Sequence, residues 1–205
     1  MMPTAVKICG ITRAEDALVA VECGAAAVGF NFWPGSPRSC DLAVATEIIA
    51  ALPESVCKVG VFVDESPRRI NEIAREAGLS AVQLHGNESP RECAACVLPV
   101  IKAITVAGPV DAERLAGYGV AAFLFDSSSR QRGGSGLAFD WGHLARLEVA
   151  VPVVLAGGLT PANVAAAITA VRPAAVDVSS GVESSPGIKD HGAIAAFIAA
   201  AQGAA

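Results

Sequence analysis

Short apolar runs rich in valine, isoleucine and phenylalanine alternate along the chain with alanine-rich segments of helical spacing. The runs predict strands at Val6–Cys9, Ala27–Phe32, Lys58–Val63, Ala81–Leu84, Val100–Ile104, Ala122–Asp126, Val153–Ala156 and Ala175–Ser179. Helices are expected near 13–23, 41–51, 67–77, 89–96, 109–117, 140–147, 161–170 and 189–201. Ser66-Pro67 and Thr160-Pro161 each set a capping hydroxyl before a proline at the first helical position, where a missing N–H does no harm. Asp41 is the expected cap of the second helix, and Gly24 and Gly78 the expected C-terminal stops of the first and third.

Eight strands, each followed by a helix, predict an α/β protein in which eight parallel strands close into a (β/α)8 TIM barrel. An open doubly wound sheet is the alternative for alternating units. The count of eight favours closure, and the first turn, Cys9-Gly10-Ile11-Thr12, lacks the glycine fingerprint of a dinucleotide-binding sheet. No linker, low-complexity stretch or charge run divides the sequence, so one domain is expected over residues 1–205.

Composition narrows the class. Of 205 residues, 53% are hydrophobic and 17% charged, which excludes a disordered chain. The 15 Lys+Arg against 20 Asp+Glu give a charge of −5, so nucleic acid is not an expected partner. The longest uncharged stretch, Val149–Val171, is interrupted by Pro152, Gly157, Gly158, Pro161 and Asn163, and reads as strand, turn and helix rather than a membrane span. The N-terminal MMPTAVKICG has no basic region followed by an apolar core, so a cytoplasmic location is expected. Six cysteines stand at 9, 23, 40, 57, 93 and 96. Cys93-Ala-Ala-Cys96 has redox or zinc spacing, but it falls in a helical stretch with no second ligand pair, so two small helix residues is the expected reading.

In a barrel the active site forms at the carboxyl ends of the strands. Those positions hold Lys7 and Cys9, Asn31, Asp64, Gln83 and His85, Lys102, Asp126, Gly157-Gly158, and Asp177 with Ser179-Ser180-Gly181. So many apolar strands finishing in polar or glycine residues predict a polar ring around one mouth. Lys7, Gln83, His85 and Asp177 of this ring are the expected substrate contacts.

The glycines of Leu155-Ala156-Gly157-Gly158-Leu159 and of Ser179-Ser180-Gly181-Val182 follow strands seven and eight. Glycine lets backbone N–H groups approach an anion, and barrels often hold a phosphate between these two loops. Gly157, Gly158, Ser180 and Gly181 are therefore the candidate phosphate grip, and the substrate is expected to be a phosphate monoester.

Cys9 could be a general base, a nucleophile or an inert small core residue. Lys7, two residues back and on the same strand face, would favour a thiolate. Asp126 ends the apolar run Phe123-Leu124-Phe125, where a carboxyl group is costly unless paired or functional. A raised pKa would make it an acid, while a loop hydrogen bonder is an equal reading. Arg38, in the loop after strand two, could grip a carboxylate with two parallel hydrogen bonds or simply be solvated. Three histidines, at 85, 143 and 191, are too few and too scattered for a metal site, so no metal is expected. The polar, glycine-rich stretch Ser127–Gly136 reads as a flap or as a plain surface loop.

Taken together, the motifs resemble those of the phosphoribosylanthranilate isomerase family of tryptophan biosynthesis. The resemblance runs from Val6 to about Phe197. It is carried by Val6-Lys7-Ile8-Cys9-Gly10-Ile11-Thr12, Gly29-Phe30 with Ser36-Pro37-Arg38, Val59-Gly60-Val61-Phe62-Val63 and Val82-Gln83-Leu84-His85-Gly86. Farther along it continues in Gly133-Gly134-Ser135-Gly136 with Phe139-Asp140-Trp141, Leu155-Ala156-Gly157-Gly158-Leu159, Asp177-Val178-Ser179-Ser180-Gly181-Val182-Glu183 and Pro186-Gly187-Ile188-Lys189-Asp190.

The resemblance implies a cofactor-free Amadori rearrangement of N-(5-phosphoribosyl)anthranilate, a small phosphorylated substrate. It implies Asp126 as the general acid that opens the sugar ring and Cys9 as the base that takes the proton from the adjacent sugar carbon. Arg38 would hold the anthranilate carboxylate, and the two glycine loops the phosphate. Ser39-Cys40 after Arg38 departs from the bulkier pair expected there. A metal-dependent sugar-phosphate epimerase or a histidine-pathway isomerase would need a histidine cluster or paired aspartates on strands one and five. Here those strands carry Cys9 and Lys102. A catalytically dead scaffold barrel would not need Cys9, Asp126 and Arg38 together with both glycine loops. The outer helices show no large apolar stripe, which leaves monomer or homodimer open.

Overall fold

The computed structural model describes residues 4–127, 141–144 and 147–204. Eight strands, β1 (Ala5–Cys9), β2 (Ala27–Asn31), β3 (Cys57–Phe62), β4 (Ala81–Leu84), β5 (Val100–Val106), β6 (Ala122–Ser127), β7 (Val153–Leu155) and β8 (Ala175–Val178), close in sequence order into a barrel. Every neighbouring pair is parallel, and the ring shuts where Val6 and Lys7 of β1 meet Val176 and Asp177 of β8. The outer layer carries α1 (Ala14–Glu22), α2 (Leu42–Ala50), α3 (Pro67–Ala77), α4 (Pro90–Ala94), α5 (Ala112–Leu115), α6 (Val164–Val171) and α7 (His191–Gln202).

Strand parity explains why the runs are continuously apolar. Ile8, Phe30, Phe62, Leu84, Phe125 and Leu155 point outward into one buried cluster with Ala17, Ile48, Ile73 and Phe197 of the helices. Each large side chain buried there contributes about 1.5–3 kcal/mol. The alternate residues point inward. Ala103, Ala122, Leu124, Val154 and Ala156 fill one side of the interior. On the other side the same inward parity puts Lys7, Gln83 and Asp177. Helix α3 shows the complementary pattern: Ile70, Ile73, Ala74 and Ala77 form its buried stripe, Ser66 caps it by accepting from Arg69 N, and Gly78 ends it in the left-handed conformation.

Several boundaries differ from the sequence expectation. Helices expected at 89–96 and 109–117 shrink to α4 and α5, each little more than one turn. Thr160 does not cap α6. The Thr160 carbonyl instead accepts from Asn163 N and Val164 N, so residues 161–163 make a turn and the helix begins at Val164. Asp41 precedes α2 but makes no side-chain cap bond. Of the helix expected at 140–147, the described residues form a 3-10 turn at Trp141–His143. After β8 the chain makes a second 3-10 turn, Ser180–Val182, and then a hairpin of β9 (Glu183–Ser185) and β10 (Ile188–Lys189) that periodicity did not reveal. Beyond Ser127, the expected flap lies outside the described residues, as do Gly133–Gly136, Phe139 and Asp140 of the resemblance motifs.

Candidate active site

Cys9 ends β1 with its sulfur inside the mouth, and the neighbouring strand makes room for it. Gly29 pairs with Cys9 across the β1–β2 register, and a Cβ there would stand 2.8 Å from Cys9 Sγ and 3.1 Å from Lys7 Nζ. Below the sulfur, Lys7 Nζ donates to Asp177 Oδ1 at 2.9 Å and to Gln83 Oε1 at 3.0 Å, bridging β1, β8 and β4. Lys7, Gln83 and Asp177 are each no more than 8% exposed. Such a buried pair is stable only because each partner satisfies the other.

Burial opposes the Lys7 charge, but Asp177 and Cys9 beside it outweigh burial and raise its pKa. For Cys9 the balance goes the other way. Burial pushes the thiol up and Lys7 pulls it down, with Asp177 reinforcing burial and Lys189 helping Lys7. The net shift is upward, so the lysine acts in the expected sense yet does not make Cys9 a thiolate. Desolvation of a sulfur closed in by the barrel wall exceeds the attraction of one ammonium already shared with Asp177.

A second set of contacts leads from Lys7 to β6. Gln83 Nε2 stands 3.1 Å from His85 Nδ1, and His85 Nε2 stands 3.3 Å from Asp126 Oδ2. Lys7 has only hydrogens to offer, so Gln83 must turn its oxygen to Lys7 and its NH2 to His85. The His85 Nδ1 then accepts, and the ring hydrogen sits on Nε2, facing Asp126. His85 and Asp126 are about one-third exposed, at 30% and 31% of their side chains, and so form the accessible end of a chain whose other members are buried.

Arg38 reaches the same mouth from the loop after β2. Its stem crosses Gly10, where a Cβ would stand 2.8 Å from Arg38 Cδ. The guanidinium is not free: Nε donates to Glu183 Oε1 at 2.8 Å and Nη2 to Glu183 Oε2 at 2.7 Å. Lys189 Nζ donates to the same carboxylate at 2.9 Å and to the Ser179 carbonyl at 3.2 Å. The sequence singled out Arg38 but gave Glu183 and Lys189 no role, although both lie in the motifs that carry the resemblance.

The two glycine loops meet beside this group. Gly157 and Gly158 have φ of 85° and 67°, which only glycine adopts without strain. Gly181 lies in the 3-10 turn after β8, packed so closely on the Leu159 carbonyl that a Cβ would collide with it. The turns after β7 and β8 are thereby clamped together at the mouth, with Ser180 exposed at the start of the second.

Two members of the expected polar ring face elsewhere. Lys102 lies between the inward Ala103 and Ile101, so it points out of the barrel, where Nζ donates to Glu88 Oε2 and to the carbonyls of Leu84, Gly86 and Ala103. Asp64, at φ 50°, accepts from Asn87 N and braces the loop after β4. Among the described residues, no three His, Cys, Asp or Glu side chains group as metal ligands, and no helix is long and apolar enough to cross a membrane.

A family model described as N-(5'phosphoribosyl)anthranilate (PRA) isomerase matches residues 6–200. The N-(5'-phosphoribosyl)anthranilate isomerase of Myxococcus xanthus is 48% identical over 206 residues, covering 98% of this chain and 97% of its own. The crystal structure of phosphoribosyl anthranilate isomerase from Thermotoga maritima superposes with a TM-score of 0.88 at 46% identity, covering 98% of this chain and 99% of that one. A solved complex of such an isomerase with reduced 1-(o-carboxyphenylamino)-1-deoxyribulose 5-phosphate gives a TM-score of 0.85 at 44% identity, with 98% and 99% covered. With the barrel closed, the polar groups gathered at its carboxyl mouth and the match extending over nearly its full length, this chain belongs to the N-(5'-phosphoribosyl)anthranilate isomerase family.

Proposed function

We propose that Asp126 and Cys9 divide between them the proton transfers of the Amadori rearrangement that converts N-(5-phosphoribosyl)anthranilate to 1-(2-carboxyphenylamino)-1-deoxyribulose 5-phosphate, a step of tryptophan biosynthesis. The observation that carries the assignment is the placement of a carboxyl group and a thiol at the ends of two separate strands, β6 and β1, of one mouth, each backed by its own partners.

Ring opening requires a proton on the furanose oxygen as the nitrogen lone pair forms the C=N bond. Asp126, at the accessible end of the contact chain, supplies that proton, and the His85 N–H facing it receives the resulting carboxylate. The iminium so formed acidifies the C–H of the next carbon, and Cys9 removes that proton. The positive charge of the iminium arrives beside the sulfur and favours the thiolate that burial disfavours, so the thiol gives its own proton to solvent before it takes the one from carbon. Ketonisation of the enolamine then adds a proton to the former anomeric carbon and releases one from the hydroxyl, and passage of a proton from Cys9 to Asp126 through solvent restores both groups, so the isomerisation is proton-neutral overall.

Arg38 holds the anthranilate carboxylate, and Gly157, Gly158, Ser180 and Gly181 hold the phosphate with backbone N–H groups. Lys7, Gln83 and Asp177 act from beneath, on Cys9 and His85, rather than by touching substrate. All of these residues come from one chain, so the chemistry does not call for a second copy. The Thermotoga maritima relative is described both as dimeric and as derived monomers. Six cysteines with no disulfide support a cytoplasmic setting for this one.

Loss of the fluorescence of the anthranilate substrate, followed with purified protein, tests the reading. Turnover is expected without added metal or cofactor. Its absence under conditions where a related isomerase works would end the proposal.

A further inference from the structure

Arg38, Glu183 and Lys189 form an ion triad assembled from three separate pieces of chain: the loop after β2, the start of β9 and the end of β10. Side-chain exposure is 21% for Arg38, 5% for Glu183 and 0% for Lys189. Glu183 is saturated. Its Oε1 accepts from Arg38 Nε, Lys189 Nζ and Gly187 N, and its Oε2 accepts from Arg38 Nε and Nη2. A carboxylate this enclosed and this fully bonded cannot rotate away to admit a competitor.

The geometry says which part of Arg38 remains available. A guanidinium offers two edges that can grip a carboxylate with paired hydrogen bonds, one through Nε and one through its two terminal nitrogens. Glu183 occupies the first. Nη1 and the second hydrogen of Nη2 have no hydrogen-bond partner among the described residues. Charge points the same way. Arg38 paired with Glu183 alone would be neutral and would attract an incoming anion only weakly. Lys189, buried against the far side of the same carboxylate, leaves the triad with a net positive charge. Burial, with Arg38 beside it, lowers the Lys189 pKa from its ordinary value and Glu183 offsets this only in part, while Arg38 and Lys189 hold Glu183 below the usual carboxylate range against its own burial.

We propose that Glu183 and Lys189 are positioning residues that fix Arg38 with its terminal edge toward the mouth, and thereby set the enzyme's preference for a substrate whose aromatic amine carries a carboxylate. The proposal rests on the reading of Arg38 as the carboxylate grip. Without Glu183 the long Arg38 side chain would be free to sample other rotamers over Gly10. Without Lys189 the same orientation would persist with less net attraction.

Two stable probes separate these roles: the reduced product analogue, 1-(o-carboxyphenylamino)-1-deoxyribulose 5-phosphate in reduced form, and its counterpart lacking the carboxyl group. Titration calorimetry on the wild type, Arg38→Met, Glu183→Gln and Lys189→Met gives a Kd ratio for the two probes. The wild type is expected to prefer the carboxylated probe and Arg38→Met to lose that preference. In Glu183→Gln the preference should fall by about 10- to 100-fold, the range expected for a misplaced contact group. Lys189→Met should fall in the same direction by less. Affinity for the uncarboxylated probe should stay near the wild-type value in all three, which a general loss of structure would not allow. If Arg38→Met loses the preference while Glu183→Gln and Lys189→Met keep it, the aiming role is overturned and the Arg38 reading survives. A preference retained in Arg38→Met overturns both. Should Glu183→Gln fail to fold, a wild-type ratio in Lys189→Met is enough to refute the part played by the triad's charge.

Discussion

Gln83 Nε2 lies 3.1 Å from His85 Nδ1, and because Lys7 donates to the other end of the same amide, this contact determines which nitrogen of His85 carries its hydrogen. Replacing Gln83 by Glu would reverse the polarity of that contact. A carboxylate accepts on both oxygens, so His85 Nδ1 would have to carry a hydrogen, and a ring that kept its Nε2–H toward Asp126 would be cationic. A neutral ring would instead turn the lone pair of Nε2 toward Asp126 and remove the N–H that, in the proposed mechanism, receives its carboxylate. No other charged group among the described residues contacts Asp126: β5 offers Thr105 beside it, and Lys102 is turned outward to Glu88. Gln83→Glu is therefore expected to lower kcat by about 100-fold, the lower end of general-acid effects. A kcat within a few-fold of the wild type in steady-state assays would show that His85 does not govern Asp126.

Cys9→Ala and Asp126→Asn should each reduce kcat by about 10²–10⁴-fold, the usual contribution of one general acid or base, while KM changes little. Steady-state assays of both variants decide this. A variant within a few-fold of the wild type removes that residue from the catalytic pair.

The upward shift at Cys9 leads to a prediction about the free enzyme. Burial, the largest influence, outweighs Lys7, so alkylation of Cys9 by iodoacetamide should be slow near neutral pH and accelerate past pH 9.0, the ordinary thiol value. Peptide mass spectrometry over a pH series reads the rate at Cys9 separately from the other five thiols. Rapid modification at neutral pH would mean that Lys7 prevails over burial.

The barrel was legible because both faces of every strand are buried, which makes the apolar runs continuous, and because a polar residue ending such a run stands out. That signal located Cys9, Gln83 and Asp126. It failed at Lys102, where parity with the inward Ala103 sends the side chain to the outside, so a strand-end position alone did not determine the face. Glu183 was hidden for a different reason. Its partner Arg38 is 145 residues away, and a hairpin with strands of three and two residues leaves no period to read. The short α5 and the late start of α6 reflect turn chemistry at Asp111 and Asn163 that overrides the helical pattern around them.

Gly29→Ala tests the close packing around the base. The added Cβ would press on Cys9 Sγ at 2.8 Å and on the end of Lys7, both of which would have to shift. Since the Lys7 side chain is flexible and Cys9 is short, stability should fall by only about 1–3 kcal/mol, as for other overpacked sites. Activity should fall disproportionately, because the sulfur of the proposed base would be displaced within the mouth. Thermal melting and kcat measured together check this. A loss of stability with normal kcat would mean that the thiol's position is not critical.

Asp16 links α1 to the far end of the chain and predicts how stability depends on pH. Its side chain is fully buried, accepting from Arg13 Nη2 at 2.7 Å and Lys189 N at 3.1 Å, with His191 Nε2 at 2.8 Å. Burial alone would raise its pKa, but Arg13, His191 and the Lys189 N–H together hold it below 3.8. Glu183 is likewise held below 4.5 by Arg38 and Lys189. Both folded-state values are depressed, so each carboxylate stabilises the fold fully above its unfolded value and loses that contribution as pH falls through the folded one. The melting temperature should accordingly be flat from about pH 7 to 5 in this respect and decline below about pH 4.5. Asp16→Asn keeps the shape but removes the charge. It should cost about 1–3 kcal/mol at neutral pH and flatten the acid decline, because less titratable stabilisation remains to be lost. Melting curves for both proteins from about pH 3 to 7 give the comparison, and parallel acid declines would exclude Asp16 as one of the groups responsible.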